Sequence, residues 1–358
     1  MSIAAGKHER LLADFAAGRT AALARAISIV ENHRAGFEAL LAVWHPKLGH
    51  ARRIGITGPP GAGKSTLTTG LARAFRAQGL TVGIIAVDPT SPFTGGALLG
   101  DRIRMEDVAL DPGVYIRSLA TRGSLGGLSA ATRESCDVLD AFGIDRILIE
   151  TVGVGQSELD VARTADTCLV VLVPESGDSI QTLKAGLMEI ADIFTVNKAD
   201  RPGADRLRNE LELMLGLRAG ATMKNVPAHH GVDLSRNNIV KQVRAAAATD
   251  DVMRWTPPVL RTVGVKDEGI SELVEALDRH FRYLEDSGTL RSRRRIRLRE
   301  RVVEVVDAKT RARLWTDPAT NQWVDERLPE LESGTATPFA IADELLERSA
   351  DLLKGRPS

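Results

Sequence analysis

Gly58-Pro59-Pro60-Gly61-Ala62-Gly63-Lys64-Ser65-Thr66 follows the β-branched run Ile54-Gly55-Ile56-Thr57 and opens a helix-compatible segment over 67–77. A strand, a glycine loop and a helix in that order are the setting that the G-x-x-x-x-G-K-[ST] pattern needs to bind phosphate. The glycines let successive backbone N–H groups curl around a phosphate, and the helix N-terminus adds partial positive charge. Lys64 is then expected to reach the β- and γ-phosphates, while Ser65 offers its hydroxyl to Mg2+. A Gly/Pro turn with a surface lysine is the plainer alternative, but it does not explain why every fixed position matches in the right context. The stretch predicts a nucleoside triphosphate site from Gly58 to Thr66.

Val196-Asn197-Lys198-Ala199-Asp200 closes a second strand-like run over 191–195. An N-K-x-D tetrad at a strand end suits guanine. The Asp200 carboxylate can accept from both N1–H and the exocyclic N2 amine, which adenine cannot supply together. The Lys198 stem lies along the base, and Asn197 ties the loop to the phosphate side. Such a carboxylate rejects ATP because it would be buried opposite the wrong hydrogen-bonding edge. Alone the four letters could form a polar turn; after a phosphate loop and at a strand end they point to GTP.

Arg146-Ile147-Leu148-Ile149-Glu150-Thr151-Val152-Gly153 is a buried-strand pattern ending in an acid, with a glycine two residues after Thr151. In phosphate-loop enzymes an acid here holds Mg2+ and the glycine N–H meets the γ-phosphate. Most GTPases place Asp at that position, whereas this chain has Glu150. Gln156 follows closely and is a candidate to orient the attacking water.

With these residues in view, the chain resembles the MeaB/ArgK-type GTPases, partners of adenosylcobalamin-dependent methylmalonyl-CoA mutase. The resemblance runs over most of the length. It includes Ala86-Val87-Asp88-Pro89-Thr90-Ser91-Pro92-Phe93-Thr94-Gly95-Gly96, Leu99-Gly100-Asp101-Arg102-Ile103-Arg104-Met105 and Arg122-Gly123-Ser124-Leu125-Gly126-Gly127-Leu128. Glu150-Thr151-Val152-Gly153-Val154-Gly155-Gln156-Ser157-Glu158 belongs to it, as does the run 181–192 that leads into the tetrad. The resemblance implies Asp88 and Asp101 as groups near Mg2+; read by itself, Asp88 starts a turn and Asp101 caps a helix near Arg102. It also implies that Gln181 and Lys184 belong to a switch segment communicating with the mutase. Their alternative is an exposed helix face. One departure stands out. The family usually closes its guanine pocket with Ser-Ala before a Gly-x-Gly-Ile turn; here the corresponding run is Thr262-Val263-Gly264-Val265-Lys266-Asp267-Glu268-Gly269-Ile270, with Val-Gly in place of Ser-Ala and the contact expected from Val263, Gly264 and Val265. The loop contributes chiefly a backbone N–H to the guanine carbonyl, so a changed side chain need not abolish the contact.

Composition fits a cytoplasmic enzyme. Across 358 residues, 43% are hydrophobic, enough for a sizeable core, and Lys+Arg and Asp+Glu each total 47. No net field therefore favours nucleic acid or a membrane surface. Cys136 and Cys168 form no C-x-x-C pair, so neither a disulfide framework nor a cysteine metal site is expected. No run approaches a membrane span, and the N-terminus lacks a secretory apolar core. Residues 1–50 read as an N-terminal helical segment, with two helices over 9–44. Residues 51–285 read as a P-loop GTPase domain, an α/β fold whose mostly parallel sheet is covered by helices on both faces. Residues 286–358 read as a C-terminal helical arm, which the resemblance makes a homodimerisation element. The arginines at 291, 293, 294, 295, 297, 299 and 301 crowd a predicted helix there. Interspersed acids and the lack of aromatic residues favour a solvated or protein-facing helix over a nucleic-acid site.

By resemblance, the activity is GTP hydrolysis that gates loading of adenosylcobalamin into, or reactivation of, an acyl-CoA mutase. The cofactor is held by that partner or an adenosyltransferase. A kinase of an arginine/ornithine transport system is the first alternative, although no amino-acid or protein-kinase substrate site is recognisable. A nickel-delivery GTPase is the other, and would ordinarily show Cys/His clusters.

Overall fold

The computed structural model describes residues 8–88, 105–120, 130–151, 161–174, 186–218 and 255–348. Three helices, α1 (Glu9–Ala16), α2 (Thr20–Glu31) and α3 (Phe37–Trp44), precede strand β1 (Arg52–Thr57) and helix α4 (Lys64–Ala77). Then come β2 (Val82–Asp88), the short α5 (Glu106–Ala109), β3 (Val114–Ala120), α6 (Ala130–Phe142) and β4 (Arg146–Thr151). β5 (Thr167–Leu172), the single turn α7 (Met188–Ile190), β6 (Ile193–Val196), α8 (Ala204–Arg218), β7 (Val259–Arg261) and α9 (Ile270–Asp286) complete the alternation. Three more helices follow: α10 (Thr289–Trp315), α11 (Pro318–Glu332) and α12 (Pro338–Arg348).

Seven parallel strands form one sheet in the order β3-β2-β4-β1-β5-β6-β7. Both faces are covered, so the strands carry apolar side chains at successive positions rather than alternating with polar ones. Ile85, Val87, Ile147 and Ile149 turn to one side and pack with Leu11, Phe15, Leu23, Ile27, Trp44 and Leu139 of α1, α2, α3 and α6. Ile84, Leu148, Ile56, Leu169 and Val171 turn to the other, against Leu67, Leu71 and Phe75 of α4 and Leu273 and Leu277 of α9. A third cluster joins Val170, Leu172, Phe194 and Val196 to Leu207, Leu211 and Leu215 of α8. Strand β1 is central, with β4 on one side and β5 on the other, which makes its carboxyl end a topological switch point. Ligands bind outside the strand ends at such points.

The N-terminal segment holds three helices where two were expected. Its second break falls between Asn32 and Phe37, where His33 (φ 44°) and Gly36 (φ 89°) both adopt the left-handed conformation. Phe15 stacks on Trp44 at 4.6 Å, which ties α1 to α3. The partly buried Arg53 guanidinium contacts Asp137 at 2.9 Å and Asp140 at 3.1 Å. Burial opposes its charge, but Asp137, Asp140 and Asp166 together hold it above its ordinary value. The adjacent Cys136 thiol is pushed up to about 12, by burial first and despite Arg53, so it stays protonated and poorly nucleophilic at neutral pH.

The chain divides into two compact units, one up to Leu290 and one from Arg291 on. In the second, Leu314, Trp323, Ile341 and Leu345 make a small core. Arg327 stacks over Trp323 at 4.8 Å and forks onto Glu344 at 2.9 and 3.1 Å. Helix α11 begins with Pro318 after Asp317, whose carboxylate accepts from the Ala319 N–H at 3.0 Å. Helix α10 spans 27 residues, and Leu314 is its one buried position. No helix among the described residues is long and apolar enough to cross a membrane.

Candidate nucleotide-binding site

The loop between β1 and α4 carries the G-x-x-x-x-G-K-[ST] stretch. Gly58 has φ 137°, and a Cβ there would lie 2.1 Å from the Val171 carbonyl oxygen. Gly63 has φ 83°, and a Cβ would sit 2.4 Å from Asn197 Nδ2. Neither position admits a side chain, which is why the loop can lie this close to β5 and to the base-side tetrad. Lys64 opens α4 and is 6% exposed; its Nζ donates to the carbonyls of Gly58 at 2.7 Å and Pro59 at 2.9 Å. The ammonium is thus held across the loop mouth. Pro60 and Gly61 are exposed at the tip, Ala62 is buried, and Ser65 and Thr66 are partly buried in the first turn of α4.

Glu150 reaches this loop from the neighbouring strand. It pairs in register with Ile56 of β1 and Ala86 of β2, and its Oε1 accepts from Ser65 Oγ at 2.5 Å. Two of the four residues that the sequence assigns to Mg2+, Ser65 and Glu150, therefore touch. Thr151 Oγ1 donates to Thr57 Oγ1 at 3.1 Å, joining the two strand ends behind them. Asp88 closes β2 one residue past the Val87–Thr151 pair, so its backbone lies at the same edge of the sheet. The Asp88 side chain falls outside the described portion, as do Asp101, Gln156, Gln181, Lys184, the loop 122–128 and most of 214–251.

Asn197 joins the phosphate loop to the base side. It is 3% exposed, and its Nδ2 donates to the Ala62 carbonyl at 2.8 Å. Its Oδ1 accepts from the Gly264 N–H at 3.1 Å and from Thr262 Oγ1 at 3.2 Å. Thr262, which opens the run 262–270 and carries no role from the sequence alone, also receives the Ala199 N–H on its carbonyl at 3.0 Å. Lys198 takes a left-handed φ of 54°, and Asp200 stands exposed beside it. Asp200 lines a cleft with Arg261, Thr262, Val263, Glu268 and Glu272. Replacing Asn197 with Ala would strand a buried carbonyl and a buried N–H; we expect a loss of about 2–3 kcal/mol in urea unfolding. A variant as stable as wild type would mean that these bonds carry nothing.

The turn after β7 sharpens the expectation for Val263, Gly264 and Val265. Val263 N–H donates to Glu268 O at 3.0 Å, Lys266 N–H to Val263 O at 2.9 Å, and Gly264 N–H to Asn197. Val265 N–H has no acceptor among the described residues, and its side chain is 83% exposed. Gly264 lies in a tight seat, since a Cβ there would lie 3.1 Å from Leu67 Cδ2.

The site thus sets a phosphate loop, a Ser-Glu pair and an N-K-x-D tetrad along the carboxyl ends of β1, β4 and β6. The chain is 45% identical over 331 residues to a Pyrococcus horikoshii protein named as a GTPase, covering 92% of this chain and 95% of that one. It is 30% identical over 353 residues to the mouse mitochondrial methylmalonic aciduria type A homolog, covering 95% of this chain and 79% of that one. A solved structure described as an LAO/AO transport system kinase superposes with a TM-score of 0.66 at 26% identity, covering 97% and 98% of the two chains. The family model described as methylmalonyl-CoA mutase-associated GTPase MeaB matches residues 23–319. On that match and those relatives, the chain belongs to the MeaB family of P-loop GTPases.

Proposed function

We propose that this GTPase serves as a nucleotide-gated chaperone of an adenosylcobalamin-dependent acyl-CoA mutase, methylmalonyl-CoA mutase first, controlling cofactor loading and protecting or reactivating the loaded enzyme. The observation that carries the reading is the match to a mutase-associated family over residues 23–319. Guanine is read by Asp200 through N1–H and the N2 amine, and by the Val265 N–H through O6. Lys64 and the loop N–H groups hold the phosphates. Mg2+ fits the oxygen pair Ser65 and Glu150, whose direct contact at 2.5 Å places two hard donors beside the phosphate loop. When bound, the ion neutralises charge on the β- and γ-phosphates.

Helix α10 supports a homodimer. Ile296, Leu298, Val302, Val303, Val305 and Val306 are all exposed on it, an apolar surface of the kind a second copy covers.

The test measures phosphate release from GTP with and without purified mutase, for wild type and for Lys184→Ala. The mutase should accelerate wild type, and Lys184→Ala should lose most of that acceleration. Equal stimulation of both sinks the switch role of Gln181 and Lys184. No stimulation by any acyl-CoA mutase sinks the chaperone reading, and phosphoryl transfer to a transport component instead of water would replace it with a kinase.

A further inference from the structure

The geometry points to Arg73 and Asp267 as the positioning pair that fixes the guanine-reading turn above α4. Arg73 lies on the helix that Lys64 begins. Its Nη2 donates to both oxygens of Asp267, at 2.7 and 2.8 Å, and its Nη1 reaches Asp107 at 3.4 Å. Asp267 ends the short 3-10 turn that carries Gly264, Val265 and Lys266, and it holds a left-handed φ of 55°. Asp tolerates that conformation better than most residues, yet a glycine would adopt it at less cost. A carboxylate is therefore present where the backbone alone would favour its absence.

The opposite surface is shaped to receive it. Gly70, one turn before Arg73 on α4, faces the carboxylate: a Cβ there would lie 3.1 Å from Asp267 Oδ1 and 3.1 Å from Ile270 Cδ1. A missing side chain and a guanidinium three residues on thus make a seat for Asp267. The other anchors of the turn are the Gly264 N–H on Asn197, which ties it to the end of β6, and the Val263 N–H on the Glu268 carbonyl, which closes the turn on itself. The Asp267 contact fixes its far side, so Val265 N–H sits between two held points. Arg73 and Asp267 are 40% and 52% exposed, and such a pair adds little to global stability. Its effect lies in where the Val265 N–H is held.

This inference rests on Val265 reading guanine O6, and the experiment separates the two. Calorimetry is run with GDP, with IDP, which keeps O6 and N1–H and lacks the N2 amine, and with 2-aminopurine riboside diphosphate, which keeps the amine and lacks both O6 and N1–H. The proteins are wild type, Arg73→Ala, Arg73→Lys and Asp267→Gly, the last preserving the left-handed backbone. Arg73→Ala and Asp267→Gly should bind GDP and IDP about threefold to fivefold more weakly, the range of an exposed ion pair. Their affinity for the 2-aminopurine nucleotide should not change, and Arg73→Lys should recover part of the loss. Equal weakening toward all three nucleotides, or no weakening, overturns the positioning role. Wild type that binds GDP and the 2-aminopurine nucleotide equally overturns the base reading, and the inference with it.

Discussion

Lys64→Ala should slow single-turnover GTP hydrolysis by about 10²–10³-fold, the loss typical of removing one preorganised charge donor from a phosphate or oxyanion site. The ammonium is 6% exposed and already bonded to two loop carbonyls, so it needs little rearrangement to meet developing phosphate charge. Glu150→Ala should act differently, disturbing metal placement and the γ-phosphate response more than the loop itself. Rapid-quench measurement with radiolabelled GTP at saturating protein reads the chemical step apart from binding. Hydrolysis at the wild-type rate would remove Lys64 from the machinery.

Asp200→Asn should weaken GTP by about 2–3 kcal/mol, on the order of 30- to 150-fold, because it removes a charged acceptor serving two guanine donors while keeping the side chain's size. The effect should fall on the base alone, leaving pyrophosphate affinity as in wild type. Titration of GTP, ATP and pyrophosphate into both proteins decides it. Wild type that binds ATP as tightly as GTP would show the tetrad to have been misassigned.

What could be read in the sequence was what is local. The phosphate loop is one continuous stretch, and its strand and helix flank it directly. Glu150 was legible because it ends a strand whose apolar run names its neighbours, and the structure sets it against Ser65. Asn197 was assigned to the phosphate side from its place in the tetrad, and its amide does reach Ala62, 135 residues away. Contacts without a local pattern were invisible. Arg73 and Asp267 are 194 residues apart, and each reads alone as an ordinary surface charge. Thr262 was passed over because nothing in a three-residue strand announces that its hydroxyl will meet Asn197. The third N-terminal helix was missed for another reason: Phe37–Trp44 is so uniformly apolar that no polar stripe marks its turns. Strand β6 begins at Ile193, two residues into the strand-like run 191–195; Asp192 just before it donates its N–H to the Cys168 carbonyl and accepts the Cys168 N–H on its carboxylate.

The two hydrogen bonds by which Asn197 links Ala62 to Gly264 bear on how a nucleotide would leave. A ligand gripped at two ends ordinarily departs in stages, with one end lifting and falling back many times because the other keeps it at high effective concentration. Here one amide props up both grips, through Ala62 on one side and Gly264 on the other. With the nucleotide held as proposed, displacing that single side chain should loosen phosphate and base together and cut the rebinding that slows release. Asn197 is only 3% exposed, so on the proposed binding geometry a partner that speeds nucleotide release should act by bending the two loops this side chain joins.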